Sequence, residues 1–116
     1  VSRASGTRAE QLALSYLEAR GLTPVATNYR SRFGEIDLIV RDGKTLVFVE
    51  VRMRRSTQFA SAAESITAGK RRKLIATAQH YLSGLHELPP CRFDAVLLGS
   101  GAQPTIEWLR NAFSAD

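Results

Sequence analysis

Acidic residues occur where this chain otherwise spells β-strand. The run Phe33-Gly34-Glu35-Ile36-Asp37-Leu38-Ile39-Val40 is followed by Val49-Glu50-Val51-Arg52. An ionised carboxylate in a buried strand is costly unless it is paired, hydrogen-bonded or bound to a metal. Glu35, Asp37 and Glu50 therefore point to a site and not to a solvated surface. Converging carboxylates suit a hard divalent cation. Mg²⁺ takes oxygen ligands, keeps several waters, and is commonly held by one or two carboxylates plus a phosphate. Basic residues flank both runs: Arg30 and Arg32 precede the first, and Arg52, Arg54 and Arg55 follow the second. Lys70, Arg71, Arg72 and Lys73 form a further cluster. Acids for a metal and a basic rim for a polyanion imply phosphodiester hydrolysis. The metal would activate water, polarise the phosphoryl oxygen and steady the leaving oxyanion.

Those residues need elements to position them. Ala9, Leu12, Ala13, Tyr16 and Leu17 recur at helical spacing, predicting a helix over about 8–20 that stops at Gly21. Thr7 and Glu10 fit a capping box at its start. A weaker strand follows over 23–30, then strong strands over 35–41 and 45–53. A second helix is expected over 68–84 with Thr67 as its cap, and two strands over 91–99 and 104–109. The strand from Thr45 is apolar on both faces except at Thr45 and Glu50, as a central strand covered on both sides would be. The expected fold is α/β: a mixed central β-sheet flanked by helices, in the order α-β-β-β-α-β-β.

The hairpin gives a register. With Asp42-Gly43 as a two-residue turn, Asp37 faces Phe48 and Glu35 faces Glu50. Alternation then sets Glu35, Asp37, Glu50 and Arg52 on one face, with Asp37 diagonal to Glu50. A three-residue turn would separate Asp37 from Glu50 unless a bulge corrected it.

Composition agrees with a single domain over 1–116: the chain has 116 residues, 44% of them hydrophobic. A net charge of +5 favours polyanion partners, above all nucleic acid. No apolar run reaches membrane-span length and no signal-peptide pattern opens the chain. The single cysteine, Cys91, permits no internal disulfide and fits a reducing cytoplasm.

At this point the residues resemble a family. Gly34-Glu35-Ile36-Asp37-Leu38-Ile39 with Val47-Phe48-Val49-Glu50-Val51-Arg52-Met53-Arg54 is similar to the YraN-like family of uncharacterised, endonuclease-like proteins. The likeness extends to Glu10, Asn28-Tyr29-Arg30, the second helix and Arg92-Phe93-Asp94-Ala95-Val96. That pattern resembles the restriction-endonuclease-like nucleases, and among them the archaeal Holliday-junction resolvases. The resemblance implies a divalent-metal-dependent DNA endonuclease for branched or recombination intermediates, acting as a homodimer with Mg²⁺ or Mn²⁺. Carried over, Glu10 is the helix acid, Asp37 the strand acid, and Glu50 with Arg52 the Glu-x-Lys pair. Asp37 and Glu50 would hold the metal, aided by the Val51 carbonyl. Arg30, Arg32, Arg54, Arg55, Lys70 and Lys73 would face nucleic acid.

Arg52 departs from the lysine of that pattern. An arginine stays charged and cannot act as a general base, although it can hold a phosphate. Lys70 or Lys73 could supply the missing amine. Two other readings therefore stay open: a nucleic-acid-binding module without turnover, and an adaptor that recruits a protein through the basic face. Ordinary roles also compete residue by residue. Glu10 can be a capping glutamate, and Glu35 a hydrogen-bonding neighbour. His80, His86 and Cys91 lack partners at catalytic or metal-ligand spacing, Tyr81 and Trp108 read as packing residues, and Asp94 is undecided.

Overall fold

A computed structural model describes residues 4–54, 66–99 and 105–115. Helix α1 (Ala4–Glu18) precedes strands β1 (Thr23–Ser31), β2 (Gly34–Asp42) and β3 (Thr45–Arg54); helix α2 (Ala68–Leu82) and strands β4 (Cys91–Gly99) and β5 (Ile106–Phe113) follow. The expected order and the mixed sheet are both present. The strands lie in the order β1-β2-β3-β4-β5. The β3–β4 pair is parallel and the other pairs are antiparallel.

Each helix covers one face. Ala9, Ala13 and Leu17 follow one another four residues apart and form the buried stripe of α1. They pack on Leu38, Val40, Val47, Val49, Val96 and Leu98. Leu74 and Ala78 of α2 pack on the opposite face, against Ile36, Ile39, Leu46, Phe48, Phe93 and Ala95. β3 sends Val47 and Val49 to one cluster and Leu46 and Phe48 to the other, which is why its sequence is apolar on both faces.

Two local expectations are corrected. α1 begins at Ala4, so Thr7 lies inside the helix and does not cap it. The cap of α2 is as read: the Thr67 hydroxyl accepts from the Lys70 N–H at 3.1 Å. In the hairpin, Asp42 pairs with Thr45, so the turn is Gly43-Lys44 and not Asp42-Gly43. Gly43 takes φ +61°, the left-handed conformation that such a turn requires. Leu38 therefore pairs with Val49 and Ile39 with Phe48. From Leu38 to Arg41 each β2 residue has its partner two positions further along β3 than expected. An even shift preserves the faces, and the same register continued one residue past Leu38–Val49 sets Asp37 opposite Glu50 and not diagonal to it.

Asp94 is resolved as a structural carboxylate. It is fully buried. It accepts from Arg92 Nε at 2.9 Å and from Arg92 Nη2 at 3.0 Å. It also accepts from Trp108 Nε1 and the Asn111 N–H, each at 2.9 Å. Arg92 reaches on to Asp42 at 3.1 Å, tying β4 to β2. Both carboxylate oxygens are thus satisfied, as a buried charge requires. Asp94→Ala would strand Arg92, Trp108 and Asn111 donors. A loss of about 3 kcal/mol or more is expected in urea unfolding; a loss within experimental error would show that the network contributes nothing.

Candidate functional site

The site lies where β2, β3 and the first turn of α2 meet. Glu50 lies on β3, one alternation beyond Phe48 and on the α2 side of the sheet. It is only 5% exposed. Lys70 Nζ lies 3.7 Å from Glu50 Oε2, an ion-pair distance beyond hydrogen-bonding range. The Arg52 guanidinium is 4.0 Å from the same oxygen. Oε1 of Glu50 is buried with no hydrogen-bond partner among the described residues. Such an orphaned oxygen is costly and uncommon in a folded protein.

Regular alternation from Ile39 and Phe48 sets Asp37 on the same side as Glu50, and β2 becomes irregular just before it. Along β2, Leu38 and Val40 face α1 and Ile39 faces α2. Strict alternation would send Ile36 to the α1 side, yet it packs in the α2-side cluster. The strand therefore changes phase at Asp37. Beside it on β1, Asn28 takes φ +53°, and Ala26 and Tyr29 on either side both pack on the α2-side cluster. Asparagine tolerates this conformation better than most residues. Asp37 Oδ2 accepts from the Val51 N–H at 2.8 Å.

The electrostatics follow from this geometry. Burial and the neighbouring Glu50 carboxylate push Asp37 up to about 7, against the opposing pull of the Val51 N–H and Lys70. Burial also raises Glu50, opposed by Lys70, Asp37 and Arg52. The pair lies within reach of a shared proton and retains it at pH values where separate acids would have lost it. Glu10 is raised as well, first by burial and then by Asp37 and Glu35, while its hydrogen bond with Asn28 lowers it. Asn28 thus links α1 to the irregular position beside Asp37.

The remaining expected residues distribute themselves unevenly. Glu10, Asp37, Glu50, Arg52 and Lys70 belong to one electrostatic neighbourhood. Glu35 does not join the Asp37–Glu50 face: the phase change turns it the other way, toward Glu10, and it pairs with Arg30 at 3.2 Å. Arg30 and Arg32 are exposed at the β1–β2 turn. Lys73 is exposed on α2 beside that turn. Arg54 ends β3, and Arg55 lies outside the described residues. Sequence reasoning missed the role of Asn28, whose tolerance of positive φ was the available signal. It also missed a 2.6 Å hydrogen bond between the Tyr29 hydroxyl and His80 Nδ1, which joins residues 51 apart in the chain.

The donor set fits a hard cation. Asp37 and Glu50 offer carboxylate oxygens, one of them orphaned, beside a backbone segment at Val51. No group of three or more His, Cys, Asp or Glu side chains gathers to hold a metal among the described residues. A two-carboxylate site completed by waters and a phosphate suits Mg²⁺ or Mn²⁺ better than a caged Ca²⁺ or Zn²⁺.

Comparison with known proteins places the chain. The pattern of the uncharacterised protein family UPF0102 matches residues 9–98, and the chain belongs to that family. A UPF0102 protein of Nitrosomonas europaea is 56% identical over 108 residues, covering 93% of this chain and 92% of the relative. One from Nitrosospira multiformis is 54% identical over 114 residues, covering 98% and 96%. A third, from Cupriavidus pinatubonensis, is 50% identical over 117 residues, covering 99% and 89%.

The raised Asp37 has a measurable consequence. A carboxyl whose folded pKa exceeds its unfolded value favours folding at low pH. That contribution is fully present below the unfolded value and is lost as pH rises through about 7. Asp37→Asn keeps the acceptor for Val51 and removes the charge. In metal-free buffer it is expected to be more stable than the parent at pH 8, by roughly 1–3 kcal/mol. The difference should shrink toward pH 4. A difference that does not change with pH would rule out a shifted Asp37.

Proposed function

We propose that this UPF0102 protein is a divalent-metal-dependent DNA endonuclease acting on branched or recombination intermediates, as a cytoplasmic homodimer. The observation that carries the reading is the pairing of half-buried Asp37 with buried Glu50, whose Oε1 has no partner among the described residues. A fold gains nothing from an orphaned carboxylate oxygen; a cation site does. Mg²⁺ or Mn²⁺ at the pair would supply an activated water and a Lewis acid for the phosphoryl oxygen.

The chain's own groups divide the remaining tasks. Asp37, fixed by the Val51 N–H, and Glu50 hold the cation. Arg52, whose side chain is 38% exposed, holds the scissile phosphate with its guanidinium and stabilises its developing charge. Lys70 approaches Glu50 from α2 and supplies the amine that Arg52 does not. Glu10, raised by burial, receives or relays a proton from the α1 side. Arg30, Arg32, Arg54, Arg55 and Lys73 attract the polyanion. No helix of the described residues is long and apolar enough to cross a membrane.

Arg52 also favours a second reading, a nucleic-acid-binding module that has lost turnover, because a guanidinium cannot act as a general base. The two separate in one assay. With Mn²⁺ and a panel of duplex, forked and four-way DNA, the nuclease reading expects cleavage. Asp37→Ala and Glu50→Ala should lower it by about 10²-fold or more. Equal cleavage by the parent and both variants would refute the site assignment. Salt-sensitive DNA binding with no metal-dependent cleavage would select the binding module.

A further inference from the structure

The β1–β2 turn carries an exposed aromatic group that neither the core nor the metal pair uses. Phe33 is 39% exposed. The Arg32 guanidinium lies 4.9 Å from its ring centroid, and the His80 ring lies 6.0 Å away, tilted by 58°. The Tyr29 hydroxyl fixes His80 through Nδ1, leaving Nε2 as the ring's remaining polar atom. Tyr29 itself is wedged edge-on against Tyr81 at 5.1 Å. The imidazole is therefore supported from below and faces outward beside Phe33.

The turn is also held against α2. A Cβ at Gly34 would lie 3.2 Å from Thr77 Oγ1 and 3.5 Å from Lys73 Cβ, so glycine permits this approach. Lys70, Lys73, Thr77 and His80 are spaced by three or four residues and lie along one side of α2. That line starts at Glu50 on β3 and ends at Tyr29 on β1. At 1.5 Å per residue, Lys70 and His80 are about 15 Å apart along the helix. A stacked strand advances about 3.4 Å per nucleotide, so this interval spans roughly four nucleotides. Arg30, Arg32 and Lys73 supply positive charge around the far end.

We propose that Phe33, flanked by His80 and Arg32, is a stacking platform for an unpaired nucleobase of a strand whose phosphate lies at the Asp37–Glu50 pair. The proposal rests on the reading of that pair as a phosphodiester site. The ring surface takes the base face, which any base can provide, and the cations beside it take the adjacent phosphates. The occupant is a single-stranded arm and not a continuous duplex, since paired bases do not expose their faces. The platform thereby gives the site a preference for forked or flapped DNA, with the unpaired stretch about four nucleotides from the bond at the metal pair.

The test compares affinities of the full chain for a forked duplex and a blunt duplex of the same sequence, by fluorescence anisotropy in Ca²⁺. Phe33→Ala should reduce the fork-over-duplex ratio by about fivefold or more, and Phe33→Tyr should restore it. 2-Aminopurine placed in the arm should be quenched by the parent and less so by Phe33→Ala. An unchanged ratio in Phe33→Ala overturns the platform even if the protein cuts DNA. A ratio that falls in a protein that never cuts keeps the platform and removes the nuclease. Absence of any DNA binding by the parent at low salt overturns both.

Discussion

The parallel pairing of β3 with β4 constrains the rest of the molecule. Parallel neighbours cannot be joined by a tight turn, so the chain must cross over one face of the sheet. Helix α2 lies in that crossover and packs on the face formed by Phe48, Ile39 and Phe93. It brings Lys70 to Glu50 at one end and His80 to Tyr29 at the other. The same pairing gives β3 hydrogen-bonded neighbours on both sides and helices on both faces. Glu50 is buried because it lies on this strand, and a carboxylate there needs a cation, a proton or both.

Two strand aspartates, Asp94 buried and Asp37 half-buried, show how one chain treats the same problem differently. Asp94 and Asp37 each lie beside an asparagine with positive φ, Asn111 at +55° and Asn28 at +53°. At Asp94 the irregularity turns a backbone N–H inward, and Arg92 and Trp108 complete the set. At Asp37 one backbone N–H is provided, and the neighbouring group is another acid. Satisfying a carboxylate fully stabilises the sheet. A pair left short of donors costs stability until a proton or a cation completes it.

Much of the fold was legible because periodicity is a local property. The stripe of Ala9, Ala13 and Leu17 and the two-faced apolar pattern of β3 each declare their environment within a few residues. The shared face of Asp37 and Glu50 was also legible, since the misplaced turn moved the register by an even number. The facing of Glu35 was not, because alternation cannot reveal an extra twist at Asp37. The role of Asp94 depended on Trp108 and Asn111, which only the β4–β5 ladder brings near. Lys70 and Lys73 looked equivalent in sequence; the path of α2 across the sheet separates them.

The outer border of β1 bears on assembly. A sheet with linear strand order leaves unpaired backbone at both margins, a template for another chain's strand. Along β1 that template is broken twice. Pro24 has no N–H to donate, the register shifts between Pro24 and Ala26, and Asn28 departs from extended geometry. No unbroken run of regular strand remains along that margin. Two copies joining there could not continue one sheet into the next. Self-association through side-chain surfaces would leave the turned backbone at Asn28, and with it the seating of Asp37, undisturbed.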